Sequence, residues 1–180
     1  MHRGDLHAAL YGVVPDKTIR YSHKLCGLDQ SDAGVKLDFE NGETVTFDLV
    51  IASDGVHSPV RGWMLGKEEP RFTGRMAYRT AFPSNLMHGY DLMDDCAKWW
   101  GTDRHIVIYY VTAARDEIYF TTSQPEPEYR VESWSEIGDL TALRDAFADF
   151  HDDVRGVLDA CPAVNKWAIY ERDPLRKWSE

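Results

Sequence analysis

The sequence predicts a mixed α/β chain built in two parts, and three observations carry that prediction. A helix-spaced opening is followed by a β-meander whose turn is Asn41-Gly42, the strongest short-range hairpin signal. A nearly continuous apolar run, Asp48-Leu49-Val50-Ile51-Ala52, closes on Ser53-Asp54-Gly55, as a buried strand of an α/β sheet does where it delivers its end to a tight turn. From about Pro70 the chain changes to short strands rich in aromatics and arginines, the pattern of a second, antiparallel sheet.

Taken in order, Arg3 to Tyr11 sets Leu6, Ala9 and Leu10 on one side of a short amphipathic helix, and Gly12 stops it. Thr18 to Leu28 is strand-like. Val35, Leu37 and Phe39 then alternate up to the Asn-Gly turn, and Thr44 to Phe47 return. After the apolar run comes a possible helical turn within Val56 to Leu65. Strands follow at Met76 to Phe82, Lys98 to Trp100, His105 to Val111 and Glu117 to Thr122, and Gln124 to Glu128 is a polar break. A single helix is expected from Asp139 to Leu158, with Leu140, Leu143, Phe147, Phe150, Val154 and Leu158 as its core stripe. Cys161-Pro162 ends that helix, and a last strand lies around Trp167 to Tyr170. No internal repeat or low-complexity tract is present.

Composition removes several function classes. The 180 residues, 43% hydrophobic and 28% charged, are those of a soluble globular chain, and no apolar run approaches the roughly 18 residues of a membrane span. Asp5 and the histidine and arginine side chains around it break any apolar signal core near the start, so a cytoplasmic location is expected. Cys26, Cys96 and Cys161 are odd in number and far apart, which suggests neither a disulfide framework nor a metal pair. His2, His7 and His23 lack metal-ligand spacing with cysteine or carboxylate, so no metal is expected. With 20 Lys and Arg against 30 Asp and Glu, the net charge of −10 repels phosphate backbones and argues against nucleic acid as a partner.

Two clusters could carry chemistry. In Asp54-Gly55-Val56-His57-Ser58-Pro59-Val60-Arg61, the glycine permits close backbone approach, Asp54 can accept hydrogen bonds from a ribose or amide, and Arg61 can balance that carboxylate. An ordinary strand-to-turn Asp-Gly is the plainer account of the first two residues. In the second sheet, strand alternation puts His105, Val107 and Tyr109 on one face and Ile106, Ile108 and Tyr110 on the other. An imidazole and a phenol pointing the same way suit binding and deprotonation of a hydroxylated aromatic acid, and equally a half-buried sheet face with two satisfied polar tips.

The eight-residue string, with the run that leads into it, resembles the DGxxSxVR signature of the group A FAD-dependent aromatic monooxygenases. The resemblance extends to His2-Arg3 with Leu6 and Leu10, and to Tyr170-Glu171-Arg172-Asp173-Pro174-Leu175 with Trp178. It implies a partial Rossmann-like FAD-binding domain over residues 1–69, a substrate-binding antiparallel sheet and helix over 70–160, and a return segment over 161–180. Arg3, Asp54, Gly55 and Arg61 are implied as cofactor-binding residues. Met76 to Thr80 and Cys96 to Val111 resemble the substrate strands of the family's salicylate hydroxylase and 6-hydroxynicotinate 3-monooxygenase branch. That likeness implies that Cys96, His105 and Tyr109 line the substrate pocket, with His105 and Tyr109 catalytic. The implied chemistry is hydroxylation, with decarboxylation, of an acid such as 6-hydroxynicotinate, using FAD, NADH as cosubstrate and O2. Other flavoproteins sharing the Asp-Gly string, such as halogenases or reductases, and a non-catalytic β-rich binding module are the alternatives.

The family's GxGxxG loop occurs nowhere in these residues, and the sequence stops just short of the position of its GDAAHP-type loop. The 180 residues are therefore expected to purify without stoichiometric FAD or NADH-dependent hydroxylase activity, and to self-associate through uncovered surfaces. Flavin absorbance at one equivalent, with turnover, would contradict this.

Overall fold

The computed structural model describes residues 2–128, 136–175 and 177–179, and the chain forms two compact units. The smaller comprises Ala8–Arg71 and Arg172–Glu180, the larger Phe72–Glu171 with the residues before Ala8. Helix α1 (Arg3–Gly12) buries none of its side chains, so the apolar side expected of it, Leu6 and Leu10 included, lies open.

In the smaller unit β1 (Leu25–Ser31), β2 (Gly34–Phe39) and β3 (Thr44–Phe47) form an antiparallel meander in that order. Gly42 takes φ +87° at the turn and its N–H donates to the Phe39 carbonyl at 2.9 Å, while Asn41 Oδ1 accepts from the Glu43 N–H at 2.9 Å. These are the bonds that make Asn-Gly a hairpin turn, since a side chain at that φ would be strained. The strand expected from Thr18 starts only at Leu25. Before it, Arg20 and His23 both reach across to Glu43, at 2.6 and 2.8 Å, so side-chain pairing replaces ladder bonds there.

The expectation of a buried strand over Asp48–Ala52 is not met. No strand forms there, and Leu49 and Ile51 are 74% and 81% exposed. An apolar run becomes a strand only where neighbouring strands satisfy its backbone and cover both faces, and among the described residues none runs beside it. Helix α2 (Pro59–Leu65) follows, with proline in its first turn and Ser58 as its cap.

The larger unit is a five-stranded sheet of order β5-β6-β7-β4-β8, from β4 (Arg71–Pro83), β5 (Cys96–Trp100), β6 (His105–Tyr110), β7 (Glu117–Pro125) and β8 (Asn165–Glu171). β7 runs through Pro125, so the polar break begins two residues later than expected. One face of the sheet, with Met76, Tyr78, Ile106, Ile108, Ile118 and Phe120, packs against Leu143, Phe147, Val154 and Leu158, all buried. Each such side chain contributes roughly 1.5–3 kcal/mol by leaving water.

The single helix expected over Asp139–Leu158 is two, α3 (Leu140–Ala146) and α4 (Asp152–Ala160). The apolar stripe is continuous, and the break lies where the caps compete with it. Asp139 Oδ1 caps α3 by accepting from the Thr141 and Ala142 N–H groups at 2.8 and 3.2 Å, and His151 Nδ1 opens α4 by accepting from the Asp153 N–H at 3.2 Å. Between them Phe147 and Phe150 meet edge to face at 4.7 Å, which turns the chain while keeping both rings in the core. Asp139→Ala should cost about 1 kcal/mol of stability, read from urea unfolding; an unchanged midpoint would show that α3 does not depend on its cap.

No helix among the described residues is long and apolar enough to cross a membrane, and none of their His, Cys, Asp and Glu side chains form a group of three or more that could hold a metal.

Candidate functional site

The helices cover one face of the five-stranded sheet; the other carries the residues that the sequence singled out. β5 and β6 pair so that Cys96 stands opposite Tyr109, Lys98 opposite Val107 and Trp100 opposite His105. Directly opposed residues of an antiparallel pair project from the same face. The structure therefore brings Cys96, His105 and Tyr109 together, and the alternation of β6, half-buried at His105, Val107 and Tyr109 and buried at Ile106 and Ile108, is as expected. β7 adds Tyr119 opposite Tyr109, the two rings 5.0 Å apart. Trp100, 70% exposed, lies 4.7 Å from the His105 ring and carries the Lys98 ammonium at 3.8 Å from its centroid.

Burial, then the Lys98 and Arg75 charges, hold the His105 pKa below its ordinary 6.5. The imidazole is neutral at pH 7 and is open to accept a proton. Burial, then Tyr119 and Cys96, push the Tyr109 phenol up, so it stays protonated and can donate. Proton NMR should show the His105 ring titrating below pH 6.5, and a midpoint at or above that value would mean that neither burial nor the two cations depress it.

In the smaller unit Asp54 lies exposed just before a turn that runs from Gly55 to Ser58 and leads into α2, closed by the Ser58 N–H donating to the Gly55 carbonyl at 3.1 Å. Gly55 has φ +87° and open space where a Cβ would stand. Asp54 Oδ2 accepts a long bond from the Val60 N–H at 3.4 Å, and Ser58 Oγ accepts from the Arg61 N–H at 2.9 Å. Arg61 does not balance Asp54, contrary to expectation. Its guanidinium pairs with Glu68, because the helix carries the side chain away from the turn and toward the segment following α2. That pairing, Arg61 first, holds the Glu68 carboxyl below its usual range. Arg172 joins the same group, donating to the Val56 carbonyl at 2.8 Å and lying 3.6 Å from Glu68. A cavity of about 300 Å³ opens beside His57, Arg61, Trp63, Glu68 and Arg172. Arg61 Nε is buried without a hydrogen-bond partner among the described residues. Arg3 stands exposed at the start of α1, and among the described residues no contact assigns it a role.

An exposed acid, a bare glycine turn and an unsatisfied guanidinium N–H suit the hydroxyl and phosphate groups of a dinucleotide, so these residues fit part of an FAD site. Sequence reading missed Lys98, Trp100 and Tyr119 on the sheet face, although strand alternation extended to β5 and β7 would have found them. It also missed Glu68 and the inward role of Arg172, which carry no local signal.

The fold is that of the FAD-binding aromatic monooxygenases of the p-hydroxybenzoate hydroxylase type. It matches a salicylate hydroxylase substrate complex over 100% of this chain and 48% of that one, with TM-score 0.84 and 22% identity. It also matches Klebsiella pneumoniae HpxO complexed with FAD and uric acid over 94% and 43%, with TM-score 0.70 and 20% identity. In sequence the chain is 40% identical over 180 residues to 6-hydroxynicotinate 3-monooxygenase of Bordetella bronchiseptica, 99% of this chain and 47% of that relative. The chain thus spans about half the length of the first curated relatives it matches. No family model matches it.

Proposed function

We propose that this chain is part of a flavin-dependent monooxygenase that hydroxylates, with loss of the carboxylate, a hydroxylated aromatic acid such as 6-hydroxynicotinate, with NADH and O2 as cosubstrates. The observation that carries the reading is the open sheet face on which Cys96 and Tyr109 share one cross-strand row and His105 stands in the next row but one. The sequence relative named for that reaction supports it.

On this reading residues 1–69 belong to the FAD-binding domain, 70–160 to the substrate-binding sheet and helix, and 161–180 to the return segment, with β8 completing the sheet before the chain leaves it at Arg172. Asp54 accepts from ribose hydroxyls, Gly55 lets the backbone approach, and Arg61 and Arg3 face phosphate oxygens. Bound FAD would supply the redox chemistry, accepting a hydride from NADH and delivering one atom of O2 to the ring while the other leaves as water. The chain's own residues prepare that ring. Neutral His105 accepts the proton of the ring hydroxyl, and Tyr109 donates a hydrogen bond to the oxygen left behind. Ionisation raises the electron density at the carbon attacked, and the sheet face fixes the ring's position.

The test is NADH oxidation by the holoenzyme with 6-hydroxynicotinate, followed together with ring product, carbon dioxide and peroxide. One product carrying a hydroxyl in place of the carboxylate should form per NADH, with little peroxide. A holoenzyme whose NADH oxidation is unaffected by any hydroxylated aromatic acid would remove the proposal.

A further inference from the structure

We infer that Lys98 holds the carboxylate of the ring substrate, and so makes the site select aromatic acids over their neutral analogues. The inference rests on the monooxygenase reading above and adds the group that reads the substrate's charge. Lys98 occupies the middle of three cross-strand rows, with Cys96 and Tyr109 in one flanking row and Trp100 and His105 in the other. Opposite it stands Val107, whose short side chain leaves room above the middle row. A ring lying against His105 has this ammonium within reach, since it stands 3.8 Å from the Trp100 ring centroid, which is itself 4.7 Å from the His105 ring.

Charge points the same way. In a chain of net charge −10, Lys24, Lys36 and Lys166 each pair with a carboxylate, whereas Lys98, on the face that carries His105 and Tyr109, makes no ion pair among the described residues and rests on the indole of Trp100. A cation over an aromatic face keeps its charge available to an incoming anion. A substrate carboxylate drawn onto an aromatic-walled face loses water and needs such a partner.

The other cations of this face are less well placed. Arg75 spends its N–H groups on Ser123 Oγ at 2.8 Å, the Ser123 carbonyl at 3.0 Å and the Asp103 carbonyl at 2.9 Å. Arg79, whose guanidinium carbon lies 3.8 Å from the Trp167 ring centroid, shares the cross-strand row of Lys98 but stands beyond both Val107 and Thr121. Both arginines belong to β4, which β7 separates from β6, whereas Lys98 is on the strand next to His105 and Tyr109.

The experiment compares binding of 6-hydroxynicotinate and its neutral amide, 6-hydroxynicotinamide, by equilibrium titration of the holoenzyme and its K98M, K98Q and K98R variants. FAD content and thermal midpoint serve as the check on folding. The parent should bind the acid at least about tenfold more tightly than the amide, K98R should keep most of that preference, and K98M and K98Q should bind the two within about threefold of each other. A parent-like preference for the acid in K98M or K98Q would overturn the role of Lys98 while leaving the monooxygenase reading standing, since the parent still binds the acid. A parent that binds both compounds equally would overturn Lys98 alone. One that binds no hydroxylated aromatic acid would overturn both.

Discussion

In the holoenzyme, His105→Phe and Tyr109→Phe should each leave FAD bound and lower substrate affinity or the hydroxylation rate about ten- to a hundredfold. That is the scale of one lost hydrogen bond to an ionised group, roughly 1.5–3 kcal/mol. The substitutions are chosen so that packing survives. Phenylalanine at 109 keeps the ring contact with Tyr119, now 5.0 Å, and phenylalanine at 105 keeps the face toward Trp100, now 4.7 Å. What is lost is the phenol O–H in one case and the neutral imidazole in the other. A poorly placed ring also lets NADH oxidation run to peroxide, so product, peroxide and binding should be followed together. Parent-like behaviour of both variants in all three would reduce these side chains to sheet packing.

The second large effect is on stability. Asp153 is 1% exposed on α4 and holds the loop before β5, accepting from the Tyr90 hydroxyl at 2.6 Å and the Met93 N–H at 3.2 Å. Asp153→Ala leaves both donors without their acceptor and should cost about 3 kcal/mol in urea unfolding, with Asp153→Asn costing less because an amide oxygen still accepts. The same bond, with burial and then the Asp153 charge, pushes the Tyr90 phenol up to about 12. An ultraviolet titration should therefore show one tyrosine ionising near 12 in the parent and nearer its ordinary value in Asp153→Ala. A loss of stability below about 0.5 kcal/mol, with that ionisation unmoved, would contradict the assignment.

Hairpin, sheet alternation and helix stripe were legible because each rests on local chemistry. Asn41-Gly42 meets the backbone demands of its own turn, and His105-Ile106-Val107-Ile108-Tyr109 needs only the two-residue period of a strand to sort its faces. The Asp139 and Cys161-Pro162 boundaries of the helical region were readable for the same reason. The break between α3 and α4 was not, because an unbroken apolar stripe fits one helix as well as two, and only the packing of Phe147 on Phe150 with the His151 cap decides between them.

The candidate site divides along the same line. The sequence by itself determined that His105 and Tyr109 share a face and that a turn begins at Gly55, since neighbours along the chain suffice for both. Tertiary structure alone decided that Cys96 and Lys98 join that face, because register between β5 and β6 is a pairing of separate segments. It also gave Arg61 to Glu68 rather than Asp54, since a long side chain takes the carboxylate that the fold brings within reach. Leu49 and Ile51 show the limit from the other side. Their apolar run specifies a strand only in the company of other strands, and with none beside it the same residues lie open to water.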